Sequence, residues 1–244
     1  KENNMLLYII RHGDPIYNPD SLTPKGHLQA KALAKRLAVH GLDRIYASPL
    51  IRAQQTATPT AELLGLPIQT EDWTSESRTA ADFYIHDDER KLHGWIFHTN
   101  HDDLRTNTTS NCTMDNWHNF PPFTEYPEKN FKAGYQRIID ASDEFLARHG
   151  YKREGAVYKI TNPNEERIAV FCHQGFGTTW LSHLLNIPPQ LFWRSFDLSH
   201  SSVTVLTFSN RENGFTSPMC LQLSDLSHIY HEGLPFMYNN SIPL

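Results

Sequence analysis

Two continuous apolar runs limit what this chain can fold into more than any other feature. Residues 5–10 read MLLYII and residues 168–172 read IAVFC. Neither alternates apolar with polar positions, so each strand must be covered on both faces, as in a sheet layered between helices. The segments between them alternate accordingly. In LTPKGHLQAKALAKRLAVHG (22–41), Thr23 is an N-cap residue, Pro24 sits at the first helical position and Gly41 falls past the last turn. Ala30, Leu33, Ala34 and Leu37 share one face of that helix. RIYAS (44–48) and LPIQT (66–70) read as short strands, with Ser48-Pro49 expected to cap and open a helix to about residue 64. Strands alternating with helices imply parallel pairing through right-handed crossovers. The expected fold is therefore α/β: a three-layer sandwich with a mostly parallel central sheet and helices on both faces, in one domain over residues 1–244.

The pattern dissolves between 77 and 130, a stretch rich in His, Asp, Asn, Thr and aromatic residues. So long a structureless loop is uncommon in a compact domain, so this reads as a partly helical insertion lying over something as a cap. Beyond it, 131–149 reads as a helix carrying Ile138, Ile139, Phe145 and Leu146. AVYKI (156–160) and RIAVFCH (167–173) flank Asn162-Pro163-Asn164, a hairpin-like turn. Helices are expected over 175–185 and from Pro188 to about 196, then strands in SSVTVLTFS and MCLQL.

A net charge of −5 and a pI near 6.3 argue against nucleic acid or a membrane surface as a partner. An acidic protein that handles phosphate must build a local positive pocket against its own charge. Cys112, Cys172 and Cys220 lie far apart, with neither a disulfide framework nor a zinc spacing, which suits a reducing, cytoplasmic setting. No apolar run approaches the roughly 20 residues that span a bilayer, and the opening KENNMLLYII reads as a strand, not a signal peptide.

Three constellations carry chemistry. Arg11, His12 and Gly13 follow the first apolar run, at the carboxyl end of a strand, where open α/β sheets bind ligands. Arg52 falls in the first turn of a helix, where the macrodipole disfavours a cation by about 0.3–1 kcal/mol unless an anion binds at the same end. His173 ends the second apolar run and is followed by Gln174 and Gly175, whose backbone N–H groups can face an anion. Two strand-end histidines, each with a glycine within two residues, are hard to explain by packing.

RHGDPIYN, LTPKGHLQA, SPLIRAQQTA, FCHQG and HSSVTVLTF occur in an order and spacing that resemble the histidine phosphatase superfamily, the phosphoglycerate mutase-like group. The resemblance covers about residues 5–76 and 165–210. It implies metal-independent hydrolysis of a small phosphomonoester without a cofactor, through a phosphohistidine on His12. Arg11, Arg52 and His173 would bind the phosphate, His173 in protonated form, with Asn18 and the backbone around Gln174 assisting. A neutral imidazole, with an ordinary pKa of about 6.5, is a competent nucleophile near pH 7. The family's acid is a Glu or Asp shortly after the third strand, and Glu71, Asp72, Glu76 and Asp82 are candidates. Glu76 falls where that acid tends to lie, with Glu71 second.

Asp14-Pro15 departs from the family's usual residues after RHG, and no phosphoglycerate-positioning signature follows Glu76. This favours a phosphatase over a mutase-type phosphotransferase or a non-catalytic phosphate-binding protein. His86, His93, His98, His101 and His118, with Asp87, Asp88, Asp102 and Asp103, match no recognised metal-ligand spacing, and no metal site is expected. Trp95, Phe97, Trp117 and Phe120 are expected to shape a substrate pocket under the cap. The expected partner is a small phosphorylated molecule; a homodimer is left open.

Overall fold

The computed structural model describes residues 4–89, 91–98, 112–235 and 237–238. Its centre is a six-stranded sheet. Strand β1 (Asn4–Arg11) lies beside β10 (Arg167–Cys172), followed outward by β4 (Arg44–Ala47) and β5 (Ile68–Thr70), all parallel. On the other side β1 pairs antiparallel with β11 (Val203–Ser209), and β11 with β13 (Met219–Asp225). The sheet is mostly parallel, as the alternation of strands and helices implies.

Period-two geometry divides the core. Met5, Leu7 and Ile9 of β1 join Ile168, Val170 and Cys172 of β10 in a large cluster on one face. That face is covered by α4 (Phe131–Arg148) and α5 (Gln174–Leu184), which supply Phe145, Leu146, Phe176 and Trp180. Ile10, Ala169 and Phe171 point the other way, onto Leu33 and Leu37 of α1 (Pro24–Ala38) and Ala57 and Ala61 of α2 (Ile51–Leu64). Between α2 and α4 lies α3 (Glu76–Phe83); α6 (Pro189–Ser195) and α7 (Ser227–His231) come last in the chain. Thr23 caps α1, accepting from the Gly26 N–H at 3.0 Å. No helix among the described residues is long and apolar enough to cross a membrane.

Three local expectations are corrected. Ser48 does not cap α2: the helix begins at Ile51, and the Ser48 hydroxyl lies 2.8 Å from His173 Nε2. AVYKI does not pair with the strand that follows Asn162-Pro163-Asn164. It forms β9 (Val157–Ile160), in a hairpin with β8 (Tyr151–Glu154) and flanked by β12 (Phe215–Thr216) in a separate small sheet. Strand β10 is drawn instead to the centre of the main sheet, where its unbroken apolar run is covered on both faces. The insertion, expected as irregular and helical, contains an antiparallel hairpin, β6 (Tyr84–Asp87) with β7 (Leu92–Trp95). His101, Asp102 and Asp103 lie outside the described residues.

Candidate active site

Parallel pairing of β1 with β10 sets Arg11 opposite Cys172, so the two strands end side by side. The next residue of each is a histidine, and the His12 and His173 ring centroids are 5.1 Å apart, close enough to flank one tetrahedral anion. The His12 N–H donates to the Cys172 carbonyl at 2.9 Å, locking the two ends together. Gly13 follows because α1 passes directly beneath it. A Cβ there would lie 2.8 Å from the Gly26 carbonyl oxygen.

His12 Nδ1 is 2.7 Å from the Gly13 carbonyl oxygen. A carbonyl only accepts, so Nδ1 carries the proton and Nε2 keeps its lone pair. Burial, then the neighbouring His173, Arg11 and Arg52, holds the His12 pKa well below its ordinary value. The imidazole is therefore neutral near pH 7. His173 is also held well below its ordinary value, by burial and then by Arg52 and Arg11. Protonating His173 there would bury a third cation beside Arg11 and Arg52, which is unfavourable unless an anion balances it.

Arg52 is placed by the hairpin of β2 (Pro15–Tyr17) and β3 (Asp20–Leu22). Asp20 pairs with Arg52 Nη1 at 2.6 Å through one oxygen and accepts from the Ile51 N–H at 2.7 Å through the other. The anion that offsets a cation at this helix start is thus supplied by the chain itself. The Tyr17 ring lies over Arg52 at 5.4 Å. Asn18 is not brought to the cluster: it is exposed in the hairpin turn, and among the described residues no hydrogen bond links it to Arg11, His12, Arg52 or His173.

Glu76, at the start of α3, reaches the start of α5. Its two oxygens accept from the Gly175 and Phe176 N–H groups, each at 2.9 Å. The backbone following Gln174 is therefore already occupied by a carboxylate, and the Gln174 side chain donates to Asp197 at 2.6 Å. Burial raises the Glu76 pKa, outweighing the two N–H groups and the charges of Arg11 and Arg52. A carboxyl held above its usual range near the two guanidinium groups is suited to donating a proton. The other candidates have different partners. Glu71 accepts from Trp73 Nε1 and pairs with Arg148, Asp82 pairs with Arg137, and Asp72 is exposed.

One residue was missed by reasoning on charge and strand ends. His200 Nε2 accepts from Arg11 Nη2 at 2.8 Å, and its ring centroid is 5.5 Å from that of His12. Burial pushes its pKa down to about 3. Its Nδ1 faces Asp14 at 3.7 Å, so the unusual residue after RHG sits behind a histidine that holds Arg11. The only signal in the sequence was its place at the head of HSSVTVLTF. On the cap side, Trp95 reaches Gly175, where a Cβ would come within 2.8 Å of the indole. His98 is near enough to Asp197 and Arg11 to feel both charges. Trp117 packs in the core against Trp193 and Phe123, with its ring against His118, and Phe120 is half-buried.

Residues 7–81 and 91–218 match the model of the histidine phosphatase superfamily, branch 1, and the chain belongs to that family. A putative phosphoserine phosphatase 2 of Hydrogenobacter thermophilus is 33% identical over 75 residues, 27% of this chain and 37% of that protein. A probable phosphoglycerate mutase GpmB of an Enterobacter species is 37% identical over 71 residues, 25% of this chain and 33% of that one. The matched stretches thus span about a third of these relatives. Among solved structures, the phosphoserine phosphatase of Entamoeba histolytica, in complex with 3-phosphoglyceric acid, superposes with a TM-score of 0.59 at 18% identity. It covers 92% of this chain and 99% of that one. A putative alpha-ribazole-5'-P phosphatase of Escherichia coli gives 0.55 at 21% identity, over 91% and 97% of the two chains. These likenesses establish the shared fold.

Proposed function

We propose that the chain hydrolyses a small phosphomonoester through a phosphohistidine intermediate on His12, with Glu76 as acid and then base. The observation that carries this reading is the locked tautomer of His12, which leaves the Nε2 lone pair of a neutral imidazole beside His173 and within the field of Arg11 and Arg52. In the first half, Nε2 donates its lone pair to phosphorus as the bond to the leaving oxygen breaks, and protonated Glu76 gives its proton to that oxygen, releasing an alcohol. In the second half, Glu76 takes a proton from water as the water oxygen attacks phosphorus. The P–N bond breaks, returning phosphate and neutral His12. Arg11 and Arg52 balance the charge spread over the equatorial oxygens, so the route calls on no metal. The names of the relatives support phosphomonoester chemistry.

Release of nitrophenol from 4-nitrophenyl phosphate by the wild type, its loss in His12→Ala, and an acid-labile phosphoryl label on wild-type protein alone are the expected results. A wild type that binds phosphate but releases nothing would make the chain a non-catalytic binder. Glu76→Gln is expected to lower turnover by roughly 10²–10⁴ while phosphate still binds. The same loss in Glu71→Gln instead would move the acid.

A further inference from the structure

We propose that the β6–β7 hairpin forms the leaving-group subsite and that it selects a planar aromatic leaving group. This rests on the phosphatase reading above. The register pairs Tyr84 with Trp95 and His86 with His93, so these four side chains project from one face of the hairpin. The intervening pairs face the other way: Ile85 is fully buried in the core and Leu92 packs against it. The ring-bearing face runs from the core at Trp95, which packs against it, to solvent at the two histidines. Trp95 and Tyr84 are half-buried, and His86 and His93 are exposed.

The rings form a continuous strip. Centroids are 6.0 Å apart from Trp95 to Tyr84, 5.6 Å from Tyr84 to His86, and 4.7 Å from His86 to His93. The two imidazoles are joined by an Nδ1–Nδ1 hydrogen bond of 2.7 Å. The inner end of the strip lies at the chemistry. A Cβ on Gly175 would lie 2.8 Å from the Trp95 ring edge and 3.1 Å from Glu76 Oε1, so the indole and the carboxylate close on the same side of that glycine. Glu76 is the group that must meet the leaving oxygen, so whatever that oxygen carries extends from Glu76 past the indole. Phe97 stacks behind Trp95 at 5.2 Å and 20°, bracing the indole in that orientation. A ring in the leaving group gains offset or edge contacts along such a strip, which a flexible chain does not.

The test uses two pairs of compounds with equal phosphorus chemistry and leaving-group basicity: 2-phenylethyl and butyl phosphate for turnover, and the matching phosphonates for calorimetric binding. Wild type is expected to bind the phenylethyl phosphonate roughly threefold to tenfold more tightly than the butyl one. Trp95→Ala should bring that ratio close to one, and Trp95→Phe should keep most of it. The kcat/KM ratio of the two phosphates should follow. A wild-type ratio near one, or a Trp95→Ala that weakens both phosphonates equally, overturns the proposal. Selective phosphonate binding without turnover of either phosphate would overturn the phosphatase reading and leave the subsite standing.

Discussion

At the scale of single residues, the site depends on which nitrogen of each histidine carries a proton. His12 is set by a carbonyl one residue away, so its tautomer follows from the turn itself. His200 is set by a guanidinium, which only donates: Nε2 must accept, and the imidazole must stay neutral. His200→Ala removes that acceptor while Arg11 stays buried. A hydrogen bond to a charged group is worth about 1.5–3 kcal/mol, so phosphate should inhibit the variant roughly ten- to a hundredfold more weakly. His200→Asn, which retains an acceptor, should recover much of the loss. The inhibition constant for inorganic phosphate, read beside the melting temperature, separates this from general damage; equal loss in both variants would refute the positioning role.

At the scale of elements, the start of α1 carries both stability and geometry. Thr23 Oγ1 accepts from the Gly26 N–H and lies 2.7 Å from Asp14 Oδ2, the carboxylate that His200 faces. Thr23→Ala is expected to cost about 0.5–2 kcal/mol in urea unfolding, with the slope against denaturant unchanged. Gly175 is constrained differently. Its φ is not in the left-handed region, but Trp95 and Glu76 crowd the space a side chain would fill. Gly175→Ala should therefore lower turnover through displaced Trp95 or Glu76, with a smaller effect on folding; a variant with wild-type kinetics would show that the cap yields freely there.

At the scale of the whole molecule, the buried histidines make stability depend on pH. His12 and His173 are held well below 6.5, His200 at about 3 and His228 at about 4, chiefly by burial. Each stays neutral in the folded chain and takes up a proton once unfolded, below about pH 6.5. Their contribution is therefore fully present above that value and is lost as pH falls toward the folded pKa values. Each contributes a slope of up to about 1.4 kcal/mol per pH unit. Glu76 works in the opposite sense. Its raised pKa favours the folded state below the ordinary carboxyl value, and that contribution is lost as pH rises through the folded one. His98, His118 and His149 are lowered too, chiefly by burial, so one raised carboxyl opposes seven imidazoles, and the melting temperature should fall between pH 7 and pH 5. A flat or rising profile would mean that the histidines are charged in the folded protein.

The sequence by itself determined the layers and the ends of the strands. MLLYII and IAVFC had to be central, because each apolar run must be covered on both faces, and whatever followed them had to lie at one edge of the sheet. Arg11, His12 and His173 were legible for that reason, and Arg52 because a cation in the first turn of a helix calls for an anion there. Tertiary structure decided what depended on partners distant in the chain. It paired Arg52 with Asp20, left Asn18 exposed in the hairpin turn, and set His200 behind Arg11. It also bound Glu76 to the helix start expected to serve phosphate, and paired AVYKI with its preceding neighbour. Local pattern carries burial and periodicity. Hydrogen-bond competition between groups distant in sequence, and the protonation state that burial imposes, exist only once the chain has closed around them.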